Sequence, residues 1–158
     1  LDAAALRATP GAGGVRFYPY LGGGEQGVLW DPSLRGRVTG LGLGHGAAEI
    51  ARAYMEGIAF EIRRCLDVIV ERQPVSDVVL TGHAVQKAST LRLYADALGL
   101  PVRPCTLRSA AAMGAALGAR EIAGLGPVAN DGLTWPAVEP GAERAVYDRL
   151  YADYLAGD

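Results

Sequence analysis

Apolar residues recur along this chain with two periods, and the changes of period divide it into strands and helices. Short apolar or alternating runs at about 15–21, 36–44, 77–81 and 100–104 predict four β-strands. Spacings of three and four predict helices at about 47–73, 88–98, 109–123 and 143–155. Two strands, a long helix and then alternating strands and helices indicate an α/β layer fold with a mixed sheet.

Capping and stop residues mark the ends of these helices. Pro74 is expected to stop the long helix, Gly99 to end the next one in a left-handed conformation, and Ser109 to cap the third at its start. Gly57 lies inside the long helix and predicts tight packing against a neighbour. Positions spaced by three and four in that helix are expected to form its buried face, with charged residues such as Arg52 and Glu56 on the other side: Ile50, Tyr54, Ile58, Ile62, Cys65, Leu66 and Ile69.

At 158 residues the chain has the length of about one domain. Residues 1–14 are rich in alanine and glycine and predict a linker or a frayed end. Residues 15–126 carry the strand and helix pattern, and 127–158 predict an irregular segment and a terminal helix packed on the same domain. Because the first residue is Leu1 rather than Met, we expect the chain to be part of a longer protein.

Composition excludes several classes of function. Half of the residues are apolar, 20% are charged and the net charge is −2, as in an ordinary globular protein. A near-neutral chain gives no electrostatic support for binding nucleic acid or a membrane surface. No run of 18 apolar residues occurs, so a cytoplasmic location is expected. Cys65 and Cys105 are expected to be reduced, and with only two histidines a metal site is not expected.

The segment 78–99 carries the clearest candidate chemistry. A buried strand runs into a turn at Gly82 and then into a helix, which aims backbone N–H groups and the positive helix end at one point. Ligands of α/β sheets bind beyond the carboxyl ends of the strands, where this turn falls. The pattern therefore predicts a phosphate cradle, with a plain tight connection as the alternative. The small residues of 110–119 would offer a flat surface for an adenine.

Other candidate motifs give weaker evidence of function. The glycines at 40–46 follow GxGxGxG, not the GxGxxG of dinucleotide-binding folds, and no GxxxxGK[ST] is present. His45 and His83 cannot be combined into a Ser–His–Asp set by any spacing argument. Glu25 lies in a glycine-rich loop, where it is either a solvated carboxylate or a ligand contact. Asp96, in a helix, is interpreted as structural.

The order of the motifs resembles the C-terminal domain of the FGGY carbohydrate kinases, which include xylulose, gluconate and glycerol kinases. The matching pieces cover roughly residues 14–125. In chain order they are Phe17–Leu21, Gly24–Glu25, Trp30–Pro32, Arg35–Gly36, Gly40–Leu41, Ala51–Ala53, Glu56–Gly57, Thr81–Ala84, Ala95–Gly99 and Ala112–Ala116. The resemblance is expected to extend to the tail, Tyr147–Tyr154.

This resemblance implies an actin-like ATPase domain of the ribonuclease H-like class, with a mixed sheet and flanking helices. In the family this domain faces an amino-terminal half across a cleft that binds ATP and Mg²⁺, and a sugar or polyol hydroxyl receives the γ-phosphoryl group. The family's catalytic aspartate lies upstream, so the resemblance implies no catalytic residue here and no kinase activity for this chain alone. A domain without its other half is expected to expose an apolar cleft face and to form homo-oligomers.

Residues that the resemblance assigns to the nucleotide fall in two places. Gly82, His83 and Ala84 match the phosphate turn, with Lys87 just after it. Gly114 and Ala115 match the small helix beside the adenosine. Because His83 stands where the family has a glycine, a non-catalytic actin-like interaction module with a decayed nucleotide site is the alternative. An unrelated α/β domain that binds a small molecule is the third hypothesis.

Overall fold

A computed structural model describes residues 1–25, 27–82, 87–105, 107, 109–128 and 135–157. The strands within these residues are β1 (Arg16–Tyr18), β2 (Arg37–Thr39), β3 (Val78–Leu80) and β4 (Val102–Pro104). The helices are α1 (Asp2–Ala5), α2 (Ala47–Val70), α3 (Ala88–Leu98), α4 (Ala110–Ile122) and α5 (Arg144–Leu155). Each predicted strand and helix is thus present, although the strands are shorter than expected.

The strands pair in two ways. β1 and β2 are antiparallel, with Phe17 opposite Val38, and β3 and β4 are parallel, with Val79 opposite Arg103. Both kinds of pairing fit the predicted α/β class, but the described strands form two separate two-stranded sheets instead of one mixed sheet. Because a two-stranded sheet is marginal by itself, the helices packed on these strands must supply most of the stability.

Helix α2 lies at the centre of the molecule and contacts α1, β1 and α3. The predicted buried face is wrong at Ile50 and Ile69, which are 46% and 41% exposed. It is also wrong for Arg52 and Glu56, which were expected outside and are buried. Neighbours cover the first four turns from several sides, so a one-sided stripe does not describe this helix. Its fully buried residues are Ala51, Arg52, Ala53, Met55, Glu56, Gly57, Ala59, Phe60 and Arg64.

Gly57 sets the distance between α2 and β1. A Cβ atom at this position would overlap the carbonyl oxygen of Phe17. Helix and strand therefore approach until backbone meets backbone, which only glycine allows. The predicted tight packing at Gly57 is confirmed.

Arg52 and Glu56 are buried because each satisfies the other. Arg52 Nε donates to Glu56 Oε1 at 2.8 Å, one helical turn away. Tyr147 Oη and the backbone N–H of Gly11 donate to the same oxygen at 3.0 and 3.1 Å. Burial raises the pKa of Glu56, against the opposing effect of these donors. The network joins the N-terminal segment, α2 and α5 around one buried pair.

The tyrosines of α5 complete the core. Tyr147, Tyr151 and Tyr154 are buried, and the ring of Tyr154 stacks on that of Tyr18 at a centroid distance of 4.6 Å. Phe60 of α2 lies 5.2 Å from the Tyr154 ring. Each large aromatic ring buries much apolar area. Helix α5 therefore packs against both the β1–β2 sheet and α2 and stabilises their contact from one side.

Residues 1–14, for which the sequence predicts a linker or frayed end, instead form α1 and a short 3₁₀ turn at Ala12–Gly14. Ala5, Ala8 and Ala12 are buried, and α1 packs against α2. Alanine has low hydrophobicity, but its small side chain lets backbones come close, and this packing leaves no signal in the periodicity of so short a segment.

Candidate functional site

The parallel pair β3–β4 brings two loops to one edge. Leu80 is opposite Pro104 in the register, so the chain leaves both strands at the same end of the sheet. The backbone N–H of Cys105 donates to the carbonyl of Leu80 at 2.8 Å, which keeps the two exits side by side. α3 follows one exit and α4 the other. This is the edge where the sequence places the phosphate turn.

Gly82 occupies the turn after β3. Its φ is +104°, a conformation that residues with a Cβ rarely adopt, and a Cβ built there would meet nothing within 4 Å. The preceding Thr81 is exposed. Among the residues that the structure describes, none lies over the side-chain position of Gly82. His83 and Ala84, also assigned to the phosphate turn, lie outside the described residues.

Lys87 precedes the first residue of α3 and is 64% exposed. Its Nζ lies 2.9 Å from Asp2 Oδ2. The hydrogen bond from this ammonium holds the pKa of Asp2 below its ordinary value. The contact was not foreseen, since 85 positions separate the two residues and no local pattern links them. A phosphate contact by Lys87 stays a prediction.

Helix α4 starts where predicted and stands clear of the core. Ser109 Oγ accepts a hydrogen bond from the backbone N–H of Ala112 at 3.3 Å, which confirms the predicted N-cap. No residue of α4 is buried. Gly114 and Ala115 are exposed, so the small-residue face is open to a ligand or to another protein surface. Their assignment to an adenosine site stays a prediction.

Glu25 is buried in the loop 22–31, with 7% of the residue exposed. Its carboxylate accepts hydrogen bonds from the backbone N–H groups of residues 27–30, and the N–H of Val28 lies 3.0 Å from both oxygens. Burial raises the pKa of Glu25, but these donors outweigh it and the pKa lies below its ordinary value. The interpretation as a solvated carboxylate is therefore wrong, and Glu25 organises the loop. A direct ligand contact stays a prediction.

Gly24 allows this loop to close around the carboxylate. Its φ is +98°, and a Cβ there would lie 2.5 Å from the carbonyl oxygen of Asp31. The backbone N–H of Glu25 donates to the same oxygen at 3.0 Å. Loop and carboxylate thus form a rigid unit, whose Gly24–Glu25 pair is one of the motifs noted in the sequence.

The described residues contain neither a cluster of metal ligands nor a membrane-spanning helix. Among those that the structure describes, no three His, Cys, Asp or Glu side chains lie close enough together to hold a metal ion. Within the same ranges, no helix combines the length and the apolar character needed to cross a bilayer.

Comparison with known proteins gives one consistent result. Residues 1–120 match the model of the FGGY family of carbohydrate kinases, C-terminal domain. Glycerol kinase from Gloeobacter violaceus is 38% identical over 121 residues, which are 75% of this chain and 24% of that protein. The crystal structure of xylulose kinase from Rhodospirillum rubrum superposes with a TM-score of 0.79 at 28% identity, and covers 98% of this chain and 32% of that chain.

A more distant structure shares the fold alone. Plasmodium falciparum glycerol kinase, solved with ADP, superposes with a TM-score of 0.73 at 14% identity over 99% of this chain and 33% of its own. The chain thus spans about a quarter of the length of the curated relative and about a third of the solved structures.

Proposed function

This chain belongs to the FGGY family of carbohydrate kinases, as a C-terminal domain, and we propose that it is the nucleotide-binding half of an ATP-dependent sugar or polyol kinase. Its mixed α/β fold matches the actin-like C-terminal domain of xylulose kinase. The binding site for the acceptor sugar or polyol and the catalytic base are proposed to belong to an amino-terminal half. The observation that carries the proposal is the open turn at Gly82, at the carboxyl edge of β3 and β4.

The residues at this edge fit a nucleotide. At Gly82 a phosphate oxygen can approach the backbone closely, because glycine has no Cβ and no described side chain occupies the space beside it. Lys87 would add a positive charge after leaving Asp2, and Gly114 and Ala115 would border the adenosine. When bound, ATP with Mg²⁺ supplies the γ-phosphoryl group that the acceptor hydroxyl receives. This chain holds and orients the nucleotide, while the ion would take its ligands from the phosphates and from the amino-terminal half.

The exposed surface of α4 supports a second half. Met113, Ile122 and Leu125 are 37%, 90% and 61% exposed on or just after a helix with no buried residue. Apolar side chains left in water along a helix that begins at the ligand edge are typical of a surface that another domain covers. The chain alone is therefore proposed to be inactive as a kinase, because the other wall of the cleft and its base are not part of it.

ATP binding tests the role of the turn. Gly82→Ala in the full-length protein is expected to weaken ATP binding, measured by calorimetry with Mg²⁺, by about tenfold or more, because the added Cβ occupies the phosphate position. Gly14→Ala is the matched control, since Gly14 has a φ of +94° and equally open surroundings. Equal ATP affinities in the two variants would show that Gly82 does not contact the nucleotide.

Activity separates the kinase from a non-catalytic module. The full-length protein is mixed with Mg-ATP and, in turn, glycerol, pentuloses and hexonates, and the release of ADP is followed. Turnover with one acceptor is expected, with glycerol first on the panel because the curated relative is a glycerol kinase. No ADP release with any acceptor, together with no ATP binding, would favour the non-catalytic interaction module. Recovery of ATP binding in His83→Gly would then identify the histidine as the cause.

A further inference from the structure

A second candidate binding site is a groove whose lining does not include Gly82, Lys87, Gly114 or Ala115. An open groove of about 400 Å³ runs between the segment 6–10, α2, α3 and the residue before α5. Leu6, Pro10 and Leu93 form apolar parts of its wall, and Arg7, Arg52 and Arg92 bring guanidinium groups into it from three different elements. Ligand sites commonly combine apolar walls with a few convergent polar groups.

The charge of this groove opposes that of the whole chain. Its lining holds three arginines and one carboxylate, that of Glu143, and the buried Glu56 carboxylate pairs with Arg52 at 2.8 Å. The positive charge of the groove therefore comes from Arg7 and Arg92. Arg92 Nη1 donates to the backbone carbonyl of Glu139. Arg7 attracts Glu49 only at longer range. In the described part of the chain, neither Arg7 nor Arg92 forms an ion pair with a carboxylate, so both keep donors for a ligand.

Arg52 provides a fixed positive charge at the base of the groove. Its residue is 5% exposed, and its Nε and Nη2 are held by Glu56 and by the Tyr147 hydroxyl. Glu143 Oε2 lies 3.7 Å from Arg52 Nη2, and its side chain is 48% exposed. A guanidinium locked by buried partners is preorganised, whereas the Glu143 carboxylate is mobile enough to be displaced by a stronger anion.

We propose that this groove binds a small phosphomonoester. The planar donors of arginine match phosphate geometry, and the two positive charges of Arg7 and Arg92 are matched by a phosphate dianion. The phosphate would lie against Arg7 and Arg92 with Arg52 behind it, and the organic part against Leu6 and Leu93. This site is distinct from the turn at Gly82 and does not depend on the proposed kinase function.

Calorimetry on the 158-residue chain tests the proposal, with inorganic phosphate and phenyl phosphate as probes and sodium chloride at matched ionic strength as the blank. Both probes are expected to bind saturably, phenyl phosphate more tightly because its ring covers the apolar wall. Arg7→Gln and Arg92→Gln are each expected to weaken binding about tenfold, since each removes hydrogen bonds to a charged group. Both side chains are exposed, so the fold is retained, which circular dichroism checks.

Two further variants make the outcome decisive. Glu143→Gln removes the competing carboxylate and is expected to tighten phosphate binding several-fold, whereas Arg149→Gln, an exposed arginine outside the groove, is expected to leave it unchanged. The absence of saturable binding in the unmodified chain and in Glu143→Gln would overturn the proposal. The proposal would also be overturned if phosphate binding were unchanged in both Arg7→Gln and Arg92→Gln, or if it were lost in Gly82→Ala. In either case the anion would occupy another site.

Discussion

Replacement of Glu25 by glutamine tests how far one carboxylate organises the loop that surrounds it. The substitution keeps the size of the side chain but exchanges one acceptor oxygen for an NH₂ donor. The least costly orientation places that nitrogen at Oε1, because Val28 can still donate to Oε2. The N–H of Gly27, which bonds only to Oε1, is then unpaired and faces another donor.

The cost follows from these hydrogen bonds. One unsatisfied N–H in a buried position costs about 1–3 kcal/mol, and the remaining donors lose the extra strength of a charged acceptor. We therefore expect Glu25→Gln to lower the free energy of unfolding by about 2–4 kcal/mol at pH 7. Glu71→Gln is the control, since Glu71 is exposed after α2 and its replacement is expected to change stability by less than about 0.5 kcal/mol.

The pH dependence provides a second measurement. The pKa of Glu25 in the folded protein lies below its ordinary value of 4.5. A depressed carboxyl pKa stabilises the fold above the unfolded pKa, and this contribution is lost as the pH falls through the folded pKa. The stability difference between the original chain and Glu25→Gln should therefore be constant from pH 7 to about 5 and narrow below about 4.5.

Urea unfolding, followed by circular dichroism at several pH values, gives both quantities. A difference below about 0.5 kcal/mol at pH 7, or one that does not narrow in acid, would refute the assignment of Glu25 as the organising acceptor of the loop.

Two further substitutions test other contacts. Gly57→Ala is expected to destabilise the chain by about 1–3 kcal/mol in urea unfolding, because its Cβ overlaps a strand carbonyl. Gly118→Ala, in an open helical position, should stabilise the chain by about 0.5–1 kcal/mol. Equal changes of stability in the two variants would show that the close contact of Gly57 with the Phe17 carbonyl does not limit the fold. Asp2→Asn is expected to change stability by no more than about 1 kcal/mol, as for other pairs with an exposed partner. It should tighten ATP binding by the full-length protein, because it frees Lys87, and unchanged affinity would count against a phosphate contact by that lysine.

Sequence reasoning succeeded where neighbours along the chain decide the structure. Gly99 ends α3 with a φ of +69°, and Ser109 caps α4 through its hydroxyl, as the residue types at these positions predict. Gly82 adopts the positive φ that a glycine between strand and helix suggests. Each of these features depends on a few consecutive residues, so a short motif contains the required information.

Sequence reasoning failed where contacts between residues far apart in the chain determine the structure. Arg52 and Glu56 look like surface residues by charge, and they are buried because Tyr147, some 90 positions later, completes their hydrogen bonds. Glu25 is buried because its own loop folds back around it, which depends on the path of the backbone and not on any periodic pattern. The ion pair of Lys87 with Asp2 likewise follows from tertiary packing.

The tyrosines of α5 limit how far the protein can be shortened from its C-terminal end without loss of core contacts. The match to the family model stops at residue 120, which would suggest a convenient place to trim the gene. A product cut there would lose Tyr147, Tyr151 and Tyr154, leaving the Tyr18 ring without its stacking partner and an arginine–glutamate pair without its hydroxyl. Any deletion series or fusion boundary should therefore keep the tail to at least Leu155.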